Sequence, residues 1–502
     1  MSVFAGLDVG TQSVKLVIYD PQQRQVLATR SAPMALDSAE DGTREQQASW
    51  WIDGIVACFA ELDPQLRARV AGIAVSGQQH GFVPVAADGS VTAPVKLWCD
   101  TSTQAECEAL MAQLGGVQGA VEEAGNPVLV GYTASKLPWT RRQRPQAYAQ
   151  MATIMLPHDY VNFWLTGERF MEAGDASGTG WLDVRTRQWS SKVLQALDGE
   201  RDLSAALPPL VPAGTCFALS KAAAEALGLP AGVRVTTGGG DNMMAAIGTG
   251  NVVAGRLTMS LGTSGTLFAH ADQPVVDPQG RWAAFCSSDG GWLPLICTMN
   301  CTVATETTRS MFGLDRQTAE AAIADTAPGA DGLLMLPFLN GERTPDLPSA
   351  RGMLFGMSPH NCTPAHTYRA AMEGATYSLR NGYDAFQQAG LRFDTVLLTG
   401  GGTNSPHWRQ MIADVLNLPV KVPSQPEGAA FGAALQALWA CEGNAGPSRS
   451  LAEVVDEHLQ FDDALSAQPD PQRVGAYARA YARFSQILQT VTPLYGGASV
   501  SA

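Results

Sequence analysis

The sequence lacks the features that would direct a protein to a membrane or to an oxidising compartment. No apolar run in its 502 residues approaches the ~18 residues of a transmembrane helix. The opening stretch, MSVFAGLDVG, has neither the basic region nor the long apolar segment of a signal peptide. The nine cysteines include no C-x-x-C pair, which argues against a disulfide framework or a cysteine metal site. We therefore expect a cytoplasmic protein with reduced thiols and no membrane partner.

Positive charge is also scarce. The chain has 33 lysines and arginines against 47 aspartates and glutamates, a net charge of −14, which argues against nucleic acid as a partner. Neither the P-loop pattern G-x-x-x-x-G-K-[ST] nor a G-x-G-x-x-G in a βαβ unit is present. A nucleotide ligand stays possible, because backbone N–H groups and a metal ion can hold phosphates with little help from net charge.

A repeated strand–turn–strand pattern is the clearest organisational feature of the chain. Apolar runs flank the turn GTQS at 10–13, and apolar runs again flank the turn GTSG at 262–265. At 502 residues the chain is too long for a single core. The repeat therefore predicts two similar domains, each with a turn that offers N–H groups and hydroxyls to a phosphate chain. Taken alone, each turn also fits an ordinary hairpin with a polar tip.

A glycine run followed by an acidic residue lies near the middle of the chain, in GGGDN at 238–242. A β-rich stretch precedes it and small and apolar residues follow it, so the glycines join a strand to a helix. Open α/β folds bind their ligands at that end of a sheet, which makes Asp241 a candidate catalytic carboxylate. The same pattern also fits a strand-end turn in which Asp241 caps the following helix.

Polar residues follow other predicted strands as well. Gln79 and His80 come after the strand at 70–77, and a second glycine run, GGGTNS, stands at 400–405. This second run offers a backbone surface against which an adenosine could lie. Asp8, just before the first turn, is a candidate magnesium ligand, usually through water. A structural role for His80 is the plainer alternative.

Several helices are predicted from periodicity and capping residues. Residues 46–62 form an amphipathic pattern, and Thr363 begins a long helix that Gly390 ends. The small residues of EGAAFGAALQALWA, at 427–440, predict a helix that packs closely against its neighbours. By contrast, DASGTGWLDV at 175–184 predicts a polar loop that leads into a strand.

Taken together, these motifs make the chain similar to the FGGY family of carbohydrate kinases, within the superfamily of actin, hexokinase and the chaperone ATPases. The resemblance covers nearly the whole chain and rests on the combination of motifs. The matching stretches are DVGTQSVK (8–15), GQQHG (77–81), LWCD (97–100), GYTASKLPW (131–139), DASGTGWLDV (175–184), GGGDN (238–242), SLGTSG (260–265), FLNGERTP (338–345), RGMLFGM (351–357), GGGTNSPHWRQMIADVLNLPV (400–420) and EGAAFGAA (427–434).

The resemblance implies an α/β fold with two ribonuclease-H-like domains around an interdomain cleft. The expected boundaries are 1–247 for a sugar-binding domain, 254–440 for an ATP-binding domain and 441–502 for a helical extension with a frayed polar tail. The expected small-molecule partners are a sugar and ATP, and magnesium is the expected metal. The family is often dimeric, so a homodimer is a further expectation.

The same resemblance implies roles for individual residues. Asp241 matches the catalytic base, and Asp8 matches the acid that places magnesium. The expected substrate contacts are Gln79, His80, Trp98, Asp241 and Asn242. The expected ATP and phosphate contacts are Thr11, Lys15, Gly262, Thr263, Ser264, Gly401, Gly402 and Asn404.

Within the family, the chain looks most like the enzymes that phosphorylate D-xylulose, so the expected reaction transfers the γ-phosphoryl group of ATP to O5 of that ketopentose. Gln79 departs from the methionine that those enzymes often have, and it adds a donor and an acceptor. Another sugar or polyol, such as ribulose or gluconate, is therefore an alternative. Asn242 argues against glycerol, because glycerol kinases typically carry glutamine there. A nucleotide switch of the actin or chaperone type, without a small acceptor, is the alternative from another class.

Overall fold

The computed structural model describes residues 2–443 and 449–495. The described chain divides into two compact units, and each is assembled from segments that are distant in sequence. The first unit contains residues 2–252, 270–294 and the described part of 427–459, whereas the second contains 253–269, 295–426 and the described residues from 460 onward.

Both units combine β-sheet and α-helix, so the predicted α/β class is confirmed. The boundaries 1–247, 254–440 and 441–502 stay a prediction. Of the extension predicted at 441–502, residues 444–448 and 496–502, with the polar end of the chain, lie outside the described residues.

The first unit is built around a seven-stranded sheet in which Val3–Val9 is an inner strand. This strand pairs antiparallel with Ser13–Asp20 and parallel with Val70–Gly77. All its residues except Asp8 are buried, as expected for a strand that is covered on both faces. The order across the sheet is Cys216–Ala218, Arg234–Thr236, Val70–Gly77, Val3–Val9, Ser13–Asp20 and Gln25–Pro33, and Gly239–Gly240 also pairs with Val70–Gly77.

Glycines allow two helices of the first unit to pack closely. The helix Gly428–Gly443 lies against Val3–Val9 and against the helix Asp241–Thr249. A Cβ atom on Gly432 would stand 1.9 Å from the carbonyl oxygen of Met244, so a larger residue would force the two helices apart. The small residues of this helix therefore serve close packing, as the sequence predicts.

The predicted helix near residue 50 spans Ala48–Ala60 and buries Trp51, Ile55 and Phe59. The other strands of the first unit are short or peripheral: Asp37–Ser38, Arg44–Gln46, Val83–Ala86, Val95–Lys96, Met151–Met155, Met171–Glu172, Leu182–Asp183, Gln188–Trp189, Leu210–Val211 and Ala283–Cys286. Its other helices are Pro64–Arg67, Gln104–Leu114, Gly116–Ala124, Thr133–Gln143, Pro145–Gln150, Pro157–Thr166, Ala173–Ala176, Ser177–Thr179, Ser191–Leu197, Leu203–Ala206, Lys221–Leu227 and Leu451–His458.

The second unit repeats the central strand arrangement of the first. Gly255–Leu261 pairs antiparallel with Gly265–Ala269 and parallel with Phe393–Thr399. Its other strands are Val420–Lys421, Leu334–Leu336, Met353–Phe355 and the part of Trp292–Thr298 from Leu295 onward. Its helices are Thr302–Met311, Arg316–Ala324, Ala330–Gly332, Pro364–Gln388, Gly401–Asn404, Pro406–Leu416, Asp463–Leu465 and Pro471–Tyr495.

The long helix of the second unit begins where the sequence predicts. Thr363 is its N-cap and accepts a hydrogen bond from the backbone N–H of His366, which satisfies one free donor of the first turn. Gly390, two residues beyond the helix, has a φ of 95°, a conformation that glycine adopts without strain.

The prediction of a polar loop within 175–184 is wrong. Ala173–Ala176 is a short helix and Ser177–Thr179 a 3-10 turn, and only Leu182–Asp183 is a strand. The carboxylate of Glu172 accepts hydrogen bonds from the N–H groups of Gly174 and Asp175, so it caps a helix that periodicity does not reveal.

Among residues 2–443 and 449–495, no helix is both long and apolar enough to cross a membrane.

The packing at Gly432 gives a first prediction. We expect Gly432→Ala to lower the thermal midpoint of unfolding, because overpacking against the Met244 carbonyl costs about 1–3 kcal/mol and outweighs the better helix propensity of alanine. Gly428→Ala, on the same helix, is the matched control, since a Cβ there would have one neighbour, at 3.8 Å. A midpoint for Gly432→Ala equal to that of the control would contradict the packing argument.

Candidate active site

Three strand ends of the first unit meet at one edge of its sheet. Asp8 lies opposite Ser76 across the parallel pair, and Gly239 lies on the other side of Ser76. The chain therefore emerges from three neighbouring strands at the same edge, and the residues that follow are the turn at 10–13, Gln78 with Gln79, and Asp241. This is the edge at which open α/β sheets bind ligands.

Asp241 begins the helix Asp241–Thr249, whose N-cap position is occupied by Gly240. Asp241 is therefore not the N-cap residue itself. Its Oδ1 does accept a hydrogen bond from a first-turn backbone N–H, that of Asn242, at 2.7 Å, and a second one from the Asn242 amide Nδ2, at 3.0 Å. These two bonds hold the carboxylate in one orientation at the start of the helix.

Burial raises the pKa of Asp241 to about 7, and the negative charges of Asp8 and Asp175 add to the rise. The hydrogen bonds from Asn242 act in the opposite direction. A carboxylate whose pKa lies near neutrality is poised to accept a proton from a hydroxyl group.

Gln79 and His80 lie beside this carboxylate. The Gln79 Oε1 accepts a hydrogen bond from the Asn242 Nδ2 at 2.9 Å, so Asn242 links Gln79 to Asp241. The His80 ring stacks on Tyr132 with a centroid separation of 4.4 Å, and its Nδ1 is 2.6 Å from the carbonyl oxygen of Gly178. These contacts fix the side chains of both predicted substrate residues.

His80 also has a strained backbone, with a φ of 64°, which is uncommon outside glycine. Its carbonyl oxygen accepts hydrogen bonds from Lys136 Nζ, at 2.6 Å, and from Thr133 Oγ1, at 3.2 Å. Burial lowers the pKa of Lys136 to about 7. Sequence reasoning missed Lys136, although it lies inside GYTASKLPW, because a single lysine shows no partner until the fold brings one.

Trp98 and Thr11, predicted for the substrate and the phosphates, contact each other. The Trp98 indole Nε1 donates to Thr11 Oγ1 at 3.0 Å, and Thr11 Oγ1 donates to Gln78 Oε1 at 2.9 Å. Trp98 remains 46% exposed, so its ring is open to a ligand. Lys15 forms an ion pair of 2.6 Å with Glu427, so a phosphate would have to compete with that carboxylate.

Asp8 is the predicted magnesium ligand. Ser76 Oγ donates to its Oδ1 at 2.8 Å. Burial raises the pKa of Asp8, against the opposing effects of that hydrogen bond and of the nearby Lys15. Within the described part of the chain, no group of three or more His, Cys, Asp or Glu side chains is arranged to hold a metal. A single carboxylate fits magnesium, which keeps several waters and takes further oxygens from phosphates.

The remaining predicted residues lie in the second unit, where the parallel strands Gly255–Leu261 and Phe393–Thr399 bring two glycine turns to one sheet edge. Thr263 and Ser264 are exposed in the first turn, and Gly401 and Asn404 are exposed in the second. Gly402 is instead buried, and a Cβ there would stand 2.6 Å from the Leu261 Cβ. The exposed backbone at these positions is available to a phosphate or a nucleoside.

A buried charged cluster next to Asp241 was not predicted from the sequence. His158 Nδ1 is 2.6 Å from Asp175 Oδ2, and His158 Nε2 is 3.1 Å from Asp159 Oδ1. Burial alone would lower the pKa of His158, but the charges of Asp159 and Asp175 raise it to about 9. The ring therefore lies between two carboxyl groups whose charges favour its protonated form.

The raised pKa of Asp241 predicts a pH-dependent instability. The unfolded carboxyl titrates near ~3.9, so between that pH and about 7 the folded state binds more protons, and stability falls as pH rises. Asp241→Asn removes this charge. We expect it to raise the thermal midpoint at pH 8 by a few degrees, with the difference vanishing toward pH 4, when unfolding is measured without magnesium or nucleotide.

Asp53→Asn, at an exposed helix position, is the control for this measurement and should leave the midpoint unchanged across the pH range. A lower midpoint for Asp241→Asn than for the unaltered protein at pH 8 would contradict the assignment of a half-buried, charge-repelled carboxylate.

Comparison with known proteins places this site in a family. The N-terminal domain of the FGGY family of carbohydrate kinases matches residues 3–248, and the C-terminal domain matches residues 257–441. The resemblance seen in the sequence motifs is therefore confirmed.

Individual relatives match over nearly the full length. A xylulose kinase of Haemophilus influenzae is 41% identical over 96% of this chain and 98% of that protein. A xylulose kinase of Escherichia coli is 33% identical over 98% of this chain and 100% of that protein. The crystal structure of a "xyloylose kinase" from Brucella ovis superposes with a TM-score of 0.90 at 30% identity, covering 98% of this chain and 100% of that one. The chain belongs to the FGGY family of carbohydrate kinases.

Proposed function

We propose that this kinase transfers the γ-phosphoryl group of ATP to O5 of D-xylulose and forms D-xylulose 5-phosphate. The observation that carries the proposal is the arrangement of Asp241, Asn242 and Gln79 at the sheet edge, in a chain whose full-length relatives are xylulose kinases.

Asp241 acts as the general base in this proposal. Its carboxylate accepts the proton of the attacking hydroxyl, and the hydrogen bonds from Asn242 keep it oriented. Gln79, His80 and Trp98 contact the sugar, while Lys136 holds the backbone of His80 in place. Phosphoryl transfer needs mainly such positioning together with neutralisation of charge.

The nucleotide contacts are proposed on the glycine turns. Thr11 and Lys15 in the first unit, and Gly262, Thr263 and Ser264 in the second, contact the phosphates. Gly401, Gly402 and Asn404 lie on the adenosine side. Magnesium, held through water by Asp8, would neutralise charge on the phosphates. We also propose that the protein forms a homodimer and is located in the cytoplasm. The proposed domain boundaries are 1–247, 254–440 and 441–502.

A second candidate acceptor is another ketose or polyol, such as ribulose or gluconate. Gln79 is buried, and among the described residues its Nε2 has no hydrogen-bond partner. An unpaired buried donor is costly unless a ligand satisfies it, so this amide favours an acceptor with a hydroxyl group placed to receive it.

The proposal is tested by measuring ADP formation over a panel of ketoses and polyols. We expect ADP to form only when a sugar is added, with the highest kcat/KM for D-xylulose. ADP formation that does not depend on any added sugar would favour a nucleotide switch. A clearly higher kcat/KM for ribulose or gluconate would replace xylulose as the acceptor.

Asp241→Asn separates chemistry from binding. We expect kcat to fall by about 10²–10⁴-fold, the usual contribution of a general base, while the affinity for ATP, measured by calorimetry, stays the same. The exposed control Asp53→Asn should retain full kcat. Turnover of Asp241→Asn near that of the unaltered enzyme would refute the assignment of the base.

Gln79→Met tests the source of sugar preference. Because the substitution removes a buried donor next to the base, we expect the ratio of kcat/KM values between ketopentoses to change by about tenfold or more. Gln104→Met is the control, because it removes an amide at an exposed position. It should leave the ratio of kcat/KM values between ketopentoses unchanged. An unchanged ratio for Gln79→Met would show that this residue does not set specificity.

A further inference from the structure

Two buried atoms of opposite polarity converge beside Asp241. Asp175 is fully buried and Gln79 is 3% exposed. Among the described residues, neither Asp175 Oδ1 nor Gln79 Nε2 has a hydrogen-bond partner. One is an acceptor and the other is a donor, and both lie within the same unit as Asp241.

Gly240 shows that these two side chains face the same small space. A Cβ atom on Gly240 would stand 3.0 Å from Asp175 Oδ1, 2.8 Å from Gln79 Cγ and 3.0 Å from Gln79 Cδ. Because Gly240 has no side chain, Asp175 and Gln79 can both lie this close to its backbone. The next residue along the chain is Asp241, so both side chains lie next to the proposed base.

The surroundings hold both side chains in these orientations. The other oxygen of Asp175 is bound by His158 at 2.6 Å, and the backbone N–H of Asp175 is bound by Glu172. The oxygen of the Gln79 amide is bound by Asn242. Because His158 contacts the other oxygen of the Asp175 carboxylate, Oδ1 is left to accept a hydrogen bond. The remaining atom of Gln79 can only donate one.

We propose that Asp175 and Gln79 together bind one hydroxyl group of the acceptor sugar, a hydroxyl other than the one that is phosphorylated. The hydroxyl donates its hydrogen to Asp175 Oδ1 and accepts a hydrogen bond from Gln79 Nε2. Both orphaned atoms are then satisfied at once, which a hydroxyl can do because it is both donor and acceptor. Asp175 thereby selects polyhydroxylated acceptors over those that lack this hydroxyl.

This inference rests on the proposed sugar kinase activity, and it is tested with Asp175→Asn. The acceptor is the sugar that the unaltered enzyme phosphorylates best, together with its single-deoxy analogues. For the parent sugar we expect Asp175→Asn to lower kcat/KM by about 10- to 100-fold, as for loss of a hydrogen bond to a charged group. For one deoxy analogue the loss should be much smaller, because that analogue never made the bond.

Asp159→Asn is the matched control. It makes the same chemical change on the opposite side of His158, in a carboxylate whose Oδ2 is bound by the Leu156 N–H. The ratio of parent to deoxy kcat/KM should keep its original value in this variant. A purely structural role for Asp175 would lower kcat/KM for every acceptor by the same factor, and that outcome would overturn the inference.

Gln79→Met keeps the inference testable if Asp175→Asn does not fold. In Gln79→Met, we then expect the kcat/KM of the same deoxy analogue to approach that of the parent sugar. A difference between the two kcat/KM values as large as in the unaltered enzyme would overturn the inference. If the unaltered enzyme phosphorylates no sugar, the proposed function itself is overturned. If it phosphorylates a sugar normally but the variants keep the same ratio of parent to deoxy kcat/KM, only the role of Asp175 is overturned.

Discussion

The parallel pairing of Val3–Val9 with Val70–Gly77 is the constraint on which the site of the first unit depends. Its register places Asp8 opposite Ser76, and Gly239–Gly240 continues the ladder beside Ser76 and Gly77. Since parallel strands end at the same edge of a sheet, the residues after each strand meet there. A shift of one residue would turn Asp8 to the other face of the sheet and separate it from Asp241.

Burying carboxylates together is the electrostatic consequence of this register. Burial and the charges of Asp8 and Asp175 raise the pKa of Asp241. Asp175 Oδ1 is left without a hydrogen-bond partner among the described residues. The energetic cost lies at the sheet edge of the candidate site, and folded proteins commonly place strained or destabilised groups at functional sites. His158, between Asp159 and Asp175, offsets part of that negative charge.

Local sequence patterns were sufficient to predict the strand–turn–strand repeat and the N-cap at Thr363. They were also sufficient to identify Asp241 and Gln79 as candidate site residues. Each of these depends on residues that are neighbours in the chain, such as glycines after a β-rich run. The short helix at Ala173–Ala176 was missed because its cap, the Glu172 side chain, gives no periodic signal. Lys136 was missed because the carbonyl of His80, one of its two backbone acceptors, is 56 residues away.

The sequence by itself determined the family, the α/β class and the residues that stand at strand ends, because glycines and strand patterns act over short distances. Only the tertiary structure decided which of those residues share a site. Asp175 reaches His158 across 17 positions in the chain, and Asp175 lies beside Gly240 only after three separate strands have paired. Buried partners of this kind are selected by packing and by hydrogen-bond satisfaction, which depend on distances that a linear sequence does not contain.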